Sequence, residues 1–146
     1  MPRPTNRFLL AAAAGDIAAA LLHFGCIAFG ASWYRALGAG ERMAQFAERG
    51  HAYPAQMAAG IGAVLLVWAL YALSGAGAIP RLPFVRLVLG AIAVVLIVRG
   101  LAFVVLMPLF PGNGLTFWIA SSATCLLLGW LHAAGLRQQW PLLRRR

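Results

Sequence analysis

The feature that most constrains this chain is an unbroken apolar run from Phe8 to Phe29, which reads FLLAAAAGDIAAALLHFGCIAF. A helix of about 20 apolar residues crosses the hydrocarbon core of a bilayer. Two ionisable side chains, Asp16 and His23, lie within the run, and their spacing of about two helical turns places them on one face. Because such groups are costly to expose to hydrocarbon, we expect that face to point into protein or water. They also make a poor signal-peptide core, so we expect an uncleaved first span.

The composition predicts a membrane protein. Of the 146 residues, 62% are hydrophobic and 10% are charged, whereas a soluble domain carries about 25% charged residues. The net charge is +9, and all the basic residues are arginine. Most of them flank apolar runs, where arginine sets orientation and meets anionic lipid. We therefore expect the lipid bilayer, and no nucleic acid, as the partner of this charge.

Four apolar segments predict an all-α fold, a single domain that forms an integral membrane bundle of four transmembrane helices. The segments cover about 8–30, 54–79, 83–107 and 115–136. Pro80 and Pro83 bracket the second connection, and Asn113 with Gly114 marks a tight third connection. Because both connections are short, the second, third and fourth spans should run antiparallel to their neighbours.

The first connection, about 31–53, is longer and includes an amphipathic stretch from Glu41 to Arg49. Its apolar side carries Met43 and Phe46. We predict a short helix lying at the outer membrane interface. An ordinary solvated loop is the alternative.

The placement of arginine predicts the topology. Eight arginines lie in the N-terminal tail, the second connection and the C-terminal tail, three lie in the first connection, and the third connection has none. The positive-inside rule then places both termini in the cytoplasm and the first connection outside. The eight are Arg3, Arg7, Arg81, Arg86, Arg137, Arg144, Arg145 and Arg146.

Asp16, His23 and Arg99 are the candidates for an intramembrane polar site. Counting about 1.5 Å per residue places Asp16 and His132 in the cytoplasmic half, and His23, Arg99 and Ser121 in the outer half. Asp16 is the one acid in the spans that can neutralise Arg99. We therefore hypothesise an Asp16–Arg99 pair, which either fixes helix register or belongs to a functional site. For His23, a hydrogen bond to a nearby serine or carbonyl group is the simpler alternative.

Glu41, Glu48 and His51 lie outside the predicted spans. They form either a polar rim over the bundle or an ordinary solvated surface. His23, His51 and His132 lie at different depths, which argues against haem held by two histidines.

The sequence contains no cluster of ligands with zinc spacing and no phosphate-binding or nucleophile motif. We therefore expect no metal, no cofactor and no catalytic residue. Cys26 and Cys125 should remain free thiols, because their depths differ by roughly 9 Å.

The run LLHFGCIAFGASWYRALGAGERMAQFAERG, followed by YPAQ and WALYALSGAG, resembles a group of small four-span bacterial inner-membrane proteins with no assigned activity. The resemblance covers most of the chain. It implies a fold and an inner-membrane location, and it supplies no catalytic residues.

The predicted function is therefore a small, non-catalytic, multi-pass inner-membrane protein. One alternative is a transporter or permeation element, suggested by charges at membrane depth. Another is an accessory subunit of a membrane complex, or a homo-oligomer, suggested by small-residue stripes such as Ala11, Gly15 and Ala19. An intramembrane enzyme would use Asp16 or His23 for proton transfer, but the spans contain only one acid.

Overall fold

The computed structural model describes residues 5–144, a range that is helical with no strand. The arginines at 3, 145 and 146 that entered the topology prediction lie outside the described residues. The helices are α1 (Arg7–Phe29), α2 (Ala31–Ala36), α3 (Glu41–Glu48), α4 (Tyr53–Ala76), α5 (Val85–Leu101), α6 (Phe103–Leu106) and α7 (Leu115–Arg144), with a 3-10 turn at Met107–Leu109 before α7.

Three of these helices, α1, α4 and α7, are long and apolar enough to cross a membrane. The segment predicted as the third span is broken. It consists of α5 and a second piece, Phe103–Leu109, and the two are bent by 60° where they meet. Within residues 5–144 the structure thus contains three candidate spans, or four if the bent pair is one span. The all-helical class is confirmed.

Local chemistry explains where the long helices begin and end. The Asn6 side chain caps α1, its Oδ1 accepting from the backbone N–H of Leu9 at 3.0 Å. Pro54 lies in the first turn of α4, where its missing N–H costs nothing. Gly30 and Gly77, with φ of 74° and 81°, adopt backbone conformations that favour glycine and end α1 and α4.

The helices pack as two pairs. α1 packs along α4, α5 packs along α7, and the pairs meet through α1–α7 and α4–α5 contacts. Glycines allow close approach within the pairs. A Cβ built on Gly129 would lie 2.8 Å from Ile97 Cγ1 and 3.1 Å from the Ile97 backbone nitrogen. A Cβ on Gly62 would lie 2.7 Å from the Phe24 ring. Small residues thus serve as helix contacts, as they do in membrane bundles.

One end of the bundle brings together the start of α1, the second connection and the end of α7. The backbone N–H of Asn6 donates to the carbonyl of Ala76 at 3.1 Å. Its side-chain Nδ2 donates to Gln138 Oε1 at 2.9 Å, and Arg81 donates to the carbonyl of Leu143.

The first and third connections meet at the opposite end. α2 and α3 form a small cap there, and the cluster inside it includes Cys26, Tyr34, Ala44 and Ala58. Asn113 Nδ2 in the third connection donates to the carbonyl of residue 38 in the cap at 2.9 Å. Within residues 5–144, the three long helices and the bent segment therefore each run between these two ends.

Candidate functional site

The most unusual contact in the bundle joins Asp16 in the middle of α1 to His132 in α7. Asp16 Oδ2 lies 3.2 Å from His132 Nε2, and both side chains are 0% exposed. Ala12, Ala13 and Ala20 share the buried face of α1 with Asp16. The contact thus lies at the seam between the α1–α4 pair and the α5–α7 pair.

The other nitrogen of His132 determines how protons are arranged in this contact. Nδ1 lies 2.9 Å from the carbonyl oxygen of Leu128, which can only accept, so Nδ1 carries a hydrogen. A neutral ring then has no hydrogen on Nε2. The contact is attractive when one further proton lies on either partner, giving an imidazolium beside a carboxylate or a neutral ring beside a carboxylic acid. Both arrangements have no net charge, so the pair can be buried without an uncompensated ion.

The contact is electrostatic rather than directional. Among the described residues, the two carboxylate oxygens of Asp16 have no partner in hydrogen-bond geometry, and the same is true of His132 Nε2. Packing around the pair is close, because a Cβ on Gly15 would lie 2.3 Å from the Leu128 side chain. The groove between α5 and α7 and the groove on α4 are lined by other residues. The pair is therefore enclosed by protein.

Arg99 does not pair with Asp16, and this part of the hypothesis is wrong. Arg99 lies in the last turn of α5, where its Nη2 donates to Ser121 Oγ at 3.2 Å and its guanidinium lies 5.5 Å from the Trp118 ring. The physical reason is helix order, since α1 packs against α4 and α7 whereas Arg99 is carried by α5. The C-terminal end of a helix, with its free carbonyl groups, is also a favourable place for a cation.

His23 contacts its own helix, as the simpler alternative proposed. Its Nδ1 lies 2.8 Å from the carbonyl oxygen of Ala19, and the side chain is partly buried. The structure therefore places Asp16, His23 and Arg99 in three separate surroundings. His132, which the sequence argument left out of the candidate site, is the partner of Asp16. The signal that could have found it is depth, because the count from the cytoplasmic side placed both residues in the inner layer.

At the opposite end, Arg35 brings together two of the three predicted rim residues. Its guanidinium lies 2.7 Å from Glu41 Oε1 and 2.8 Å from Glu48 Oε1, and all three side chains are exposed. The hydrogen bonds from Arg35 hold the pKa of Glu41 below its usual range. His51 is not part of this network and packs edge-on against Phe46 at 5.2 Å between ring centroids. Arg35 clamps α2 to α3, which is a structural role.

In the described part of the chain, no group of three or more histidine, cysteine or acidic side chains is arranged to hold a metal ion. Cys26 and Cys125 are free thiols. Comparison with protein-family models, with curated proteins and with solved structures finds no match.

Proposed function

We propose that this chain is a small, non-catalytic, multi-pass protein of the bacterial inner membrane, with four spans and both termini in the cytoplasm. The observation that carries this proposal is the path of the chain. Three long apolar helices and one bent helical segment connect the same two ends of the bundle. The resemblance of the sequence to small four-span inner-membrane proteins is consistent with this assignment.

The charges at the two ends support the proposed orientation. The end with the second connection includes Arg7, Arg81, Arg86 and Arg137, and the three acids of the chain lie elsewhere. At the opposite end, Arg35 is balanced by two glutamates. The first end is therefore the more basic one, which the positive-inside rule assigns to the cytoplasm. In this orientation α3 lies at the outer interface.

Within this bundle we assign the Asp16–His132 contact a static role, which is to fix the position of α1 against α7. A transport site must open to water on each side in turn, whereas this pair is 0% exposed and closely packed. Removing His132 would leave the buried carboxylate of Asp16 uncompensated, at a cost of about 3–5 kcal/mol, so the contact strongly disfavours other alignments of the two helices.

A second candidate, an accessory subunit of a membrane complex, is favoured by Arg99. Its Nη1 is buried without a hydrogen-bond partner, as is Ser122 Oγ, in the part of the chain that is described. No described carboxylate forms an ion pair with it. A carboxylate from a neighbouring membrane protein would neutralise this cation, and α5 would then be the contact helix.

Flux measurements separate the static role from permeation. The full chain is reconstituted in liposomes that enclose a pH-sensitive dye, and a pH gradient is imposed. The static role predicts the proton flux of protein-free liposomes, unchanged in the double variant Asp16→Val/His132→Leu. Faster flux that disappears in the double variant would contradict the static role and support a permeation element.

A further inference from the structure

A groove of about 530 Å³ runs along the outside of the bundle between α5 and α7. Its walls include Gly90, Val94, Ile97 and Leu136, all of them apolar. From Gly90 to Ile97 the groove is about 10 Å long at 1.5 Å per residue. This part of the groove can hold a hydrocarbon chain and offers no polar partner.

One end of the groove is basic. Arg137, Trp140 and Pro141 line it there, and Arg137 is exposed. The guanidinium of Arg86 lies over the Trp140 ring, 4.6 Å from its centroid, which adds a second cation beside the groove. Pro141 has no N–H, so the carbonyl of Arg137 lacks its usual helical partner.

No acidic side chain of the described residues 5–144 counters this charge. The chain has three acidic residues: Asp16 faces His132 inside the bundle, and Glu41 and Glu48 bind Arg35 at the other end. The basic end therefore complements an anion and lies next to a slot for hydrocarbon. A phospholipid with a net negative headgroup combines these two parts in one molecule. A second helix would fill the slot but would need a carboxylate placed at the groove end to match the charge.

We propose that the α5–α7 groove is a binding site for an anionic diacyl phospholipid of the cytoplasmic leaflet. The phosphate binds between Arg86 and Arg137, Trp140 lies at headgroup level, and one acyl chain follows the wall from Gly90 to Ile97. Basic pockets between helices on the cytoplasmic side bind such lipids. This assignment rests on the proposed membrane location and orientation.

The chain provides its own control. A second groove of about 280 Å³ on α4 is lined by Gln56, Gly60, Trp68 and apolar neighbours, with no basic residue. The bilayer should fill it without preference for a headgroup. Both grooves can be filled without a clash. A Cβ on Gly90 would meet only the Leu136 side chain, at 3.8 Å, and a Cβ on Gly60 would meet nothing within 4 Å.

The test measures which lipid the full-length protein retains. It is reconstituted in bilayers of equal phosphatidylglycerol and phosphatidylethanolamine, extracted in mild detergent, and the bound lipids are counted by native mass spectrometry. We expect phosphatidylglycerol to be retained in preference to phosphatidylethanolamine. Arg86→Gln and Arg137→Gln should each lower its retention about fivefold, the contribution of one basic residue near an anionic surface. Arg42→Gln, at the other end, should leave retention unchanged.

The groove-filling variants test the acyl-chain part of the site. Gly90→Leu should abolish selective retention, and Gly60→Leu should not change it. Equal retention of the two lipids by the parent chain, or equal behaviour of the two leucine variants, would overturn the lipid site alone. If alkaline carbonate washes the chain off the bilayer, the membrane location fails and the lipid site fails with it.

Discussion

Substituting Asp16 and substituting His132 should lower the free energy of unfolding by different amounts. In His132→Leu, both carboxylate oxygens of Asp16 stay buried with no compensating group. Leaving an uncompensated buried charge costs about 3–5 kcal/mol. In Asp16→Val, His132 becomes a neutral ring whose Nδ1 still donates to Leu128, so only Nε2 loses its partner. That variant should lose about 1–3 kcal/mol.

The double variant Asp16→Val/His132→Leu should recover much of the loss. It leaves no polar atom at the seam, and replacing a buried pair by apolar side chains is often neutral or stabilising. Because the double variant should cost much less than the two single variants together, the coupling between the two substitutions should be at least about 3 kcal/mol. The free energy of unfolding is measured by SDS titration in mixed micelles, with the helical circular dichroism signal as the readout.

His23→Leu is the matched control, because His23 binds only a carbonyl of its own helix in the described structure. Its effect should stay below about 1 kcal/mol. The reasoning is refuted if His132→Leu costs no more than His23→Leu, or if the two substitutions of the pair simply add.

Four further outcomes are expected. Gly129→Ala should destabilise the bundle by about 1–3 kcal/mol, because its Cβ meets α5 backbone, whereas Gly60→Ala should not destabilise it; thermal melts compare them. Arg35→Gln should speed amide exchange in the α2–α3 cap at low salt and less at high salt. The folded pKa of Glu41 lies below its ordinary value of 4.5. The contribution of Glu41 to the stability of the cap is therefore complete above pH 4.5 and is lost as the pH falls through the folded pKa. Amide exchange of the cap at pH 3 and at pH 6 measures this loss. The loss of stability caused by Arg99→Leu should simply add to the loss caused by Asp16→Val, since Arg99 and Asp16 do not pair.

The long helices were well predicted from the sequence. An apolar run of about twenty residues with a proline or glycine at its end is compatible with few structures other than a long helix. The predicted first, second and fourth spans match α1, α4 and α7, although α7 continues beyond 136 to Arg144. The break in the predicted third span was missed. Residues 103–106 are as apolar as the helix before them, so hydropathy gives no sign that the axis bends there.

Helix rotation and helix pairing were harder to predict. The expected stripe of Ala11, Gly15 and Ala19 is one position away from the residues that are buried on α1, including Ala12 and Ala20. An alanine-rich helix looks nearly the same on every face, so composition alone does not fix its rotation. The choice of Arg99 as partner for Asp16 failed for a related reason, because charge identifies possible partners but not which helices are neighbours.

The contacts at the two ends were not foreseen either. Asn6 binds Gln138 across 132 positions of sequence, and Arg35 binds Glu48 across 13. No periodic pattern in the sequence marks either contact. Such contacts follow from the packing of the helices and can be predicted only when it is known which helices are neighbours.

The measurement that tests the four-span account most directly is accessibility at three engineered cysteines in a chain whose native cysteines are replaced. Gln45, Ala78 and Pro111 are exposed, one in each connection. Gly38, which also lies in the first connection, is unsuitable for an engineered cysteine, because its φ is 72° and a Cβ there would lie 1.9 Å from the Phe117 ring. With a membrane-impermeant maleimide added to intact cells whose outer membrane is permeabilised, the account predicts labelling at 45 and 111, and protection at 78 until the inner membrane is opened. If 78 and 111 behave alike, the bent α5–α6 segment does not cross the membrane, and the four-span account is contradicted.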